Sequence, residues 1–304
     1  MIRNLFDFVE IRTKVTTSCS FLLALAYLIW MRRDIDWKVT LVFFFSMMLI
    51  DLSTTAINNY MDTKDSGKPL QFTRTAARRI ILSMAAVSIA GGILLVCLTD
   101  LVVLLLGGFC FLCGFLYTWG PVPISRTPLG EAISGIVQGG IGPFILLYIN
   151  SPQRSYLHLD VVSGHLIVEF SIASLMAAFL LTVPSMCTIA AIMLANNICD
   201  RAADIKVHRY TLAFYLTEKQ ALYLFAGLYY VSYGASVLMV IFKMASPILL
   251  LSVLTILPVQ RNIRQFFKKQ EKSETFSVSI SNFVMIVGAD IVLFLLNTFI
   301  NVEL

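Results

Sequence analysis

Charge is what this sequence has least of. Asp, Glu, Lys and Arg make up 13% of its 304 residues, about half the share usual in soluble domains. A water-soluble enzyme is thereby excluded: with 58% apolar residues and a mean hydropathy of +0.82, a globule of this size could not hide its apolar surface. Disorder is excluded as well, because 22 phenylalanines among so few charges invert its signature. Nine prolines and 16 glycines are too few for a collagen-like or linker-rich chain. Six cysteines, too few and too scattered, make no disulfide framework. Cys19, Cys97, Cys110, Cys113 and Cys187 lie within apolar runs and Cys199 just after one. The Cys110-x-x-Cys113 pair has no histidine or second pair nearby, so these cysteines read as small apolar residues. No cleavable signal peptide is expected. Asp7, Glu10, Arg12 and Lys14 precede the first apolar run, and no small-residue cleavage site follows it.

What is abundant is apolar sequence in lengths that cross a bilayer, which takes roughly 20 residues per helix. Such runs lie near 15–31, 39–57, 80–98, 101–119, 132–149, 170–195, 221–242, 244–259 and 276–300. The third and fourth are parted only by Thr99-Asp100, a tight turn. The expected fold is an all-α integral membrane protein with nine transmembrane helices in one bundle, a single domain over 1–304. With the N-terminus inside, 18 of the 23 Lys and Arg fall in inside loops. Arg32, Arg33, Lys38, Arg154 and Lys243 fall outside. The positive-inside rule then predicts a cytoplasmic N-terminus, an outside C-terminus, and cytoplasmic loops 2–3, 4–5, 6–7 and 8–9.

The second and sixth spans end alike. One ends Asn58-Asn59-Tyr60-Met61-Asp62, with Asp65 and Ser66 following; the other ends Asn196-Asn197-Ile198-Cys199-Asp200, with Asp204 following. Corresponding residues are 138 apart throughout. Positions i, i+4 and i+8 share a helix face, so Asn58, Asp62 and Ser66 form one stripe and Asn196, Asp200 and Asp204 the other. Polar residues often mark a helix end, but two clusters of one spacing, at matched spans and on one side, point to function. Asp is costly near a membrane core and defaults to a functional role. Carboxylate and amide oxygens suit Mg²⁺, which completes its shell with water and phosphate oxygens. Nearby cations, among them Lys68, Arg74 and Arg209, suit free phosphate oxygens, although the positive-inside rule accounts for any one of them equally well. The matching substrate in a bilayer is an amphiphile with a diphosphate head and a hydrocarbon tail. Asp51, three turns before Asp62, and Asp290 in the ninth span read as structurally paired acids inside the bundle. A polar contact in a ring-binding pocket is the alternative for Asp51.

These paired Asn-x-x-x-Asp clusters on a nine-span chain resemble the UbiA family of intramembrane aromatic prenyltransferases, over essentially the whole chain. The stretch from Tyr117 to Glu131 (Tyr-Thr-Trp-Gly-Pro-Val-Pro-Ile-Ser-Arg-Thr-Pro-Leu-Gly-Glu) and that from Asn196 to Leu212 resemble the branch acting on 1,4-dihydroxy-2-naphthoate in menaquinone biosynthesis. Two positions depart from it: Ser66 stands where many relatives have Asp, and His208 where this branch usually has Gly.

The resemblance implies Mg²⁺-dependent transfer of a polyprenyl group from its diphosphate to the naphthoate, with loss of CO₂ and diphosphate. It implies Asp62, Asp200 and Asp204 as catalytic metal ligands, helped by Asn58 and Asn196. Substrate contacts would come from Asn58, Asn196, Lys68, Arg74, Arg209, Tyr117 and Asp51. Glu131 would handle a ring-hydroxyl proton, or simply sit as an anion at a helix N-terminus. Tyr60, Phe72, Tyr117 and Trp119 are near enough to face an allylic cation, though packing is the commoner use of such residues. The expected partners are a polyprenyl diphosphate, a small aromatic acceptor and the lipid of the plasma membrane, with no nucleic acid. Another acceptor, such as 4-hydroxybenzoate or haem, and an isoprenoid-lipid carrier without catalysis remain open alternatives.

Overall fold

The fold is that of a computed structural model, described over residues 2–65, 69–152 and 155–300, without the side chains of residues 62, 64, 65 and 161. Among the described residues twelve α-helices follow one another: α1 Ile2–Phe8, α2 Val15–Trp30, α3 Trp37–Asp65, α4 Arg74–Leu98, α5 Leu101–Thr118, α6 Gly130–Ser134, α7 Gly142–Ile149, α8 Ile172–Lys206, α9 Leu212–Tyr215, α10 Glu218–Ile241, α11 Ile256–Lys268 and α12 Ser277–Ile300. Among the described residues, eight helical stretches are long and apolar enough to cross a membrane. They overlap eight of the nine apolar runs of the sequence, with α4 beginning six residues before its run and α8 ending eleven residues after its run. Large apolar side chains such as Leu82, Val87 and Ile93 point outward, as a bundle facing lipid requires.

The ninth run, 244–259, differs. It forms a nine-residue 3₁₀ helix, Pro247–Thr255, which continues into α11. At about 2.0 Å rise per residue the 3₁₀ part alone spans about 18 Å, longer than such helices usually run. The segment starts where the Met244 carbonyl accepts the Tyr27 hydroxyl at 3.4 Å and leads to Lys272, which is ion-paired with Asp200.

A β-hairpin interrupts the helical pattern between α7 and α8. Strand β1 (Leu157–Val162) pairs antiparallel with β2 (His165–Phe170). The two turn residues, Ser163 and Gly164, both have positive φ, 51° and 81°. That is the turn whose twist suits a two-residue hairpin. The fold class is all-α as expected, and this two-stranded hairpin is an addition the sequence reading did not include. The sequence signal was a Ser-Gly between two runs rich in Leu, Val and Ile, masked by the stronger helical signal on either side.

Two features place the site. First, α3 and α8 are the longest helices, 29 and 35 residues. At 1.5 Å per residue they reach about 43 and 52 Å, well beyond a hydrocarbon core of about 30 Å. Their C-terminal turns carry the two Asn/Asp stripes. Second, the fifth span is a composite. A π-helical turn, Gly135–Ile141, joins α6 to α7 and lies against α8. A Cβ added at Gly135 would come within 2.5 Å of the Met186 carbonyl oxygen, and one at Gly139 within 2.5 Å of the Met186 nitrogen. Only glycine lets the backbones approach so closely. Ser185 Oγ donates to the Gly139 carbonyl at 2.6 Å, directly after Pro184, which interrupts the ladder of α8.

Candidate active site

α8 remains helical through Lys206, so Asn196, Asp200 and Asp204 do share one face at its exit. The helix stops by a left-handed cap. His208 has φ 54°; its N–H donates to the Ile205 carbonyl at 3.2 Å and the Arg209 N–H to the Asp204 carbonyl at 2.9 Å. This pair of bonds defines a Schellman ending, whose left-handed position favours Gly. The cap explains why His208 is the odd residue here, and it turns the chain so that Arg209 comes back over Asp204. Arg209 Nη1 lies 3.7 Å from Asp204 Oδ1, and Asp204 is buried. Asp200 is ion-paired with Lys272, which arrives from the segment after α11.

Arg209 also joins two stretches far apart in sequence. Its Nε donates to the Ser125 carbonyl at 3.0 Å, and the Tyr210 N–H donates to the Arg126 carbonyl at 3.1 Å. The 4–5 loop and the segment after the second motif are thus one unit. Below it, Asn197 Nδ2 donates to Glu131 Oε1 at 2.8 Å, and Glu131 is 3% exposed. Among the described residues Oε2 of Glu131 has no hydrogen-bond partner of good geometry, although the Leu212 backbone lies close to the carboxylate. The tight glycine seam of the fifth span brings α6 close enough to α8 for this contact. Tyr117 lies beside Glu131 and Arg209, within hydrogen-bonding reach of Ser134. A buried carboxylate with one satisfied oxygen and one open one, beside a phenol and a guanidinium, is equipped to accept a hydrogen bond or proton.

On the first stripe, α3 is helical through Asp65, so Asn58 and Asp62 share a face; Ser66 and Lys68 lie outside the described residues, as does the side chain of Asp62. Asn58 is half-buried. Arg74 is engaged locally. It is exposed, sits 5.2 Å over the Tyr60 ring and donates to the Tyr60 carbonyl at 3.4 Å, fastening α4 to the end of α3. Asn59 Nδ2 donates to the Phe8 carbonyl at 2.9 Å, tying α1 to the same end.

Asp51 sits deeper, in a network the sequence only half reveals. Its carboxylate accepts from Lys14 Nζ at 2.8 Å, Thr17 Oγ1 at 2.6 Å and Gln138 Nε2 at 3.5 Å. Lys14 is 5% exposed. Asp290 is 2% exposed and accepts from Ser236 Oγ at 3.4 Å. Of the four aromatic candidates, Tyr117 alone lies beside Glu131. Phe72 packs edge-on against Phe8, Trp119 packs against Phe115 and is half exposed, and Tyr60 lies under Arg74.

Lys272, Asn197 and Lys14 were not singled out by sequence reasoning. Lys14 and Lys272 read as positive-inside cations, and Asn197 as a neighbour of the stripe rather than a member. Nothing in the sequence links Asn197 to Glu131 across 66 positions.

Asn196, Asp200 and Asp204 present hard oxygen donors on one face, with cations already drawn to both carboxylates. That chemistry fits Mg²⁺. Among the described residues, no three Asp, Glu, His or Cys gather closely enough to hold a metal alone.

A bundle of eight helices long and apolar enough to cross a membrane, the two longest ending in Asn/Asp stripes, defines an integral membrane protein. The chain belongs to the UbiA prenyltransferase family, whose model matches residues 19–286. It is 31% identical over 239 residues to the 1,4-dihydroxy-2-naphthoate octaprenyltransferase of Bacillus subtilis (strain 168), covering 74% of this chain and 70% of that protein. Its fold matches that of a UbiA homologue from Aeropyrum pernix K1 (TM-score 0.66, 15% identity, 92% of this chain and 97% of that one). It also matches a UbiA homologue from Archaeoglobus fulgidus solved with GPP and Mg²⁺ (TM-score 0.63, 12% identity, 96% and 98%). The chain is therefore a multi-pass membrane prenyltransferase.

Proposed function

We propose that this prenyltransferase moves a polyprenyl group from its diphosphate to 1,4-dihydroxy-2-naphthoate. The allylic C–O bond to diphosphate breaks, a ring carbon bonds the prenyl carbon, and the ring carboxylate leaves as CO₂. The immediate product is the quinol form, demethylmenaquinol, since no step oxidises the ring diol. The observation that carries the reading is the unit formed by the 4–5 loop and the segment after the second motif, through Arg209–Ser125, Tyr210–Arg126 and Glu131–Asn197. Those two stretches are the ones that resemble the naphthoate branch, and the similarity to the Bacillus subtilis protein supports the same acceptor.

Asp62, Asp200 and Asp204, with Asn58 and Asn196, would hold Mg²⁺. The ion, when bound, supplies charge neutralisation to the departing diphosphate. Arg209 and Lys272, with Lys68, supply further positive charge to its oxygens as that charge develops, which is where differential binding lowers the barrier. The apolar bundle keeps water from the allylic cation. Asn197 orients Glu131, whose open oxygen accepts the proton of a ring hydroxyl and raises the electron density of the ring that attacks.

We further propose that the motif-bearing end faces the cytoplasm of the plasma membrane. The distribution of cations supports this, and the passage of 244–271 between the two ends of the bundle supports a ninth crossing.

Purified protein given a polyprenyl diphosphate, Mg²⁺ and each acceptor tests the assignment by product mass and released CO₂. It should convert the naphthoate at least about tenfold more efficiently than 4-hydroxybenzoate, the step that one pocket contact of about 1.4 kcal/mol supplies. Preference for hydroxybenzoate or haem, or a naphthoate product that retains its carboxylate, would overturn it.

A further inference from the structure

A cavity lies at the end of the bundle opposite the acidic stripes. It is an open cleft of about 610 Å³ between the C-terminal ends of α2, α10 and α12 and the N-terminal end of α8. Its lining includes Arg32, Arg33 and Lys243, three of the five cations at this end of the chain. Cations are scarce here, so three on one cavity concentrate most of the positive charge this end has.

The polar lining is incomplete. Asn297 is 3% exposed, lines the cavity, and has no hydrogen-bond partner among the described residues at either Oδ1 or Nδ2. A buried amide left wholly unpaired costs a few kcal/mol. Its position on the cavity wall makes a ligand or ordered water the missing partner. α8 enters the same cavity by its first turn, at Ala173 and Ser174. The N-terminus of a long helix adds partial positive charge directed at that space. The deeper wall is aromatic: Tyr27 and Trp30 line it and both pack against Phe294, with centroids 5.4 and 5.6 Å away. Cations at a mouth, an amide with a free donor and acceptor, and an aromatic floor suit an anionic head with an apolar extension.

We propose that this cavity is a binding site for a phosphate-bearing anion, separate from the site of prenyl transfer. Arg33 and Lys243 provide the charge, and Asn297 donates to a phosphate oxygen. A phospholipid head group and a soluble phosphate share this chemistry, and the experiment separates them.

The probe is Trp30, on the cavity wall, made the sole tryptophan by Trp37→Phe and Trp119→Phe in the full chain. Protein in uncharged detergent is titrated with phosphatidylglycerol or phosphatidylcholine carrying brominated acyl chains, and separately with inorganic phosphate. For a lipid source, phosphatidylglycerol should quench Trp30 at about tenfold lower mole fraction than phosphatidylcholine, and millimolar phosphate should not reverse this. For a soluble source, phosphate alone should shift Trp30 emission, with no difference between the lipids. In either case Arg33→Gln with Lys243→Gln should weaken the response by about tenfold or more, the effect of two cations near a lipid phosphate. Arg33→Lys should largely keep it. Retained prenyl transfer in the double variant shows that it has folded. If neither lipid preference nor a phosphate response is seen, or if the response survives loss of both cations in the folded variant, the proposal is wrong.

Discussion

Gly139→Ala tests whether the glycine seam of the fifth span sets the geometry of the site. An added Cβ would lie 2.5 Å from the Met186 nitrogen and 2.6 Å from the Ser185 carbonyl carbon. Ordinary contact begins near 3.4 Å. Both neighbours are backbone, so no side chain can rotate away, and the two helices must part by the difference, about 0.9 Å. Overpacking of this kind costs about 1–3 kcal/mol of stability. The same displacement, carried along α6, moves the 2.8 Å Asn197–Glu131 contact beyond hydrogen-bonding range. A lost hydrogen bond to a charged acceptor is worth about 1.5–3 kcal/mol. If all of it appears in the transition state, turnover falls by about 10- to 150-fold. Gly227→Ala in α10 is the control, because nothing lies within 4 Å of an added Cβ there. It should leave activity intact and raise the thermal midpoint slightly, since Ala is favoured over Gly in a helix by about 0.5–1 kcal/mol. Thermal melting in detergent and initial rates of prenyl transfer read both effects. If Gly139→Ala keeps wild-type rate and midpoint, or if the two alanines behave alike, the seam does not position Glu131.

Asp200→Ala and Asp204→Ala should each lower turnover by at least about a thousandfold while the protein still inserts, and excess EDTA should do the same to the unaltered chain; full activity in either arm refutes the metal-bound diphosphate site. His208→Gly should stabilise by about 1 kcal/mol, because the left-handed cap penalises any residue with a Cβ; an unchanged or lower thermal midpoint would show that the His208–Tyr210 contact outweighs the strain. Lys14→Met should destabilise by about 3–5 kcal/mol by leaving Asp51 buried and uncompensated, whereas Lys14→Met with Asp51→Leu should recover most of that loss in the same melt. A cysteine placed at Lys268 should resist impermeant thiol reagents applied to intact cells; ready labelling from outside would reverse the topology.

The composition and the lengths of the apolar runs alone determined that this is a membrane bundle, because hydrocarbon solvent leaves helices and closed barrels as the workable folds and the runs have helix length. The 138-residue echo determined that acidic stripes lie at the ends of α3 and α8, since a stripe within one helix depends only on local periodicity. Periodicity could not show how the stripes are completed. Lys272 reaches Asp200 across 72 positions and Asn197 reaches Glu131 across 66, and such contacts depend on packing that no local pattern encodes. The reading of Arg74 as a phosphate contact could not foresee that Tyr60, two residues beyond the motif's start, offers it both a ring and a carbonyl. Asp51 was legible as a buried acid, but its partner Lys14 looked like one more inside cation until α2 and α3 were packed together. The 3₁₀ passage at Pro247–Thr255 and the hairpin at Leu157–Phe170 were likewise decided in three dimensions, where neighbouring elements select among backbone conformations that the residues themselves allow.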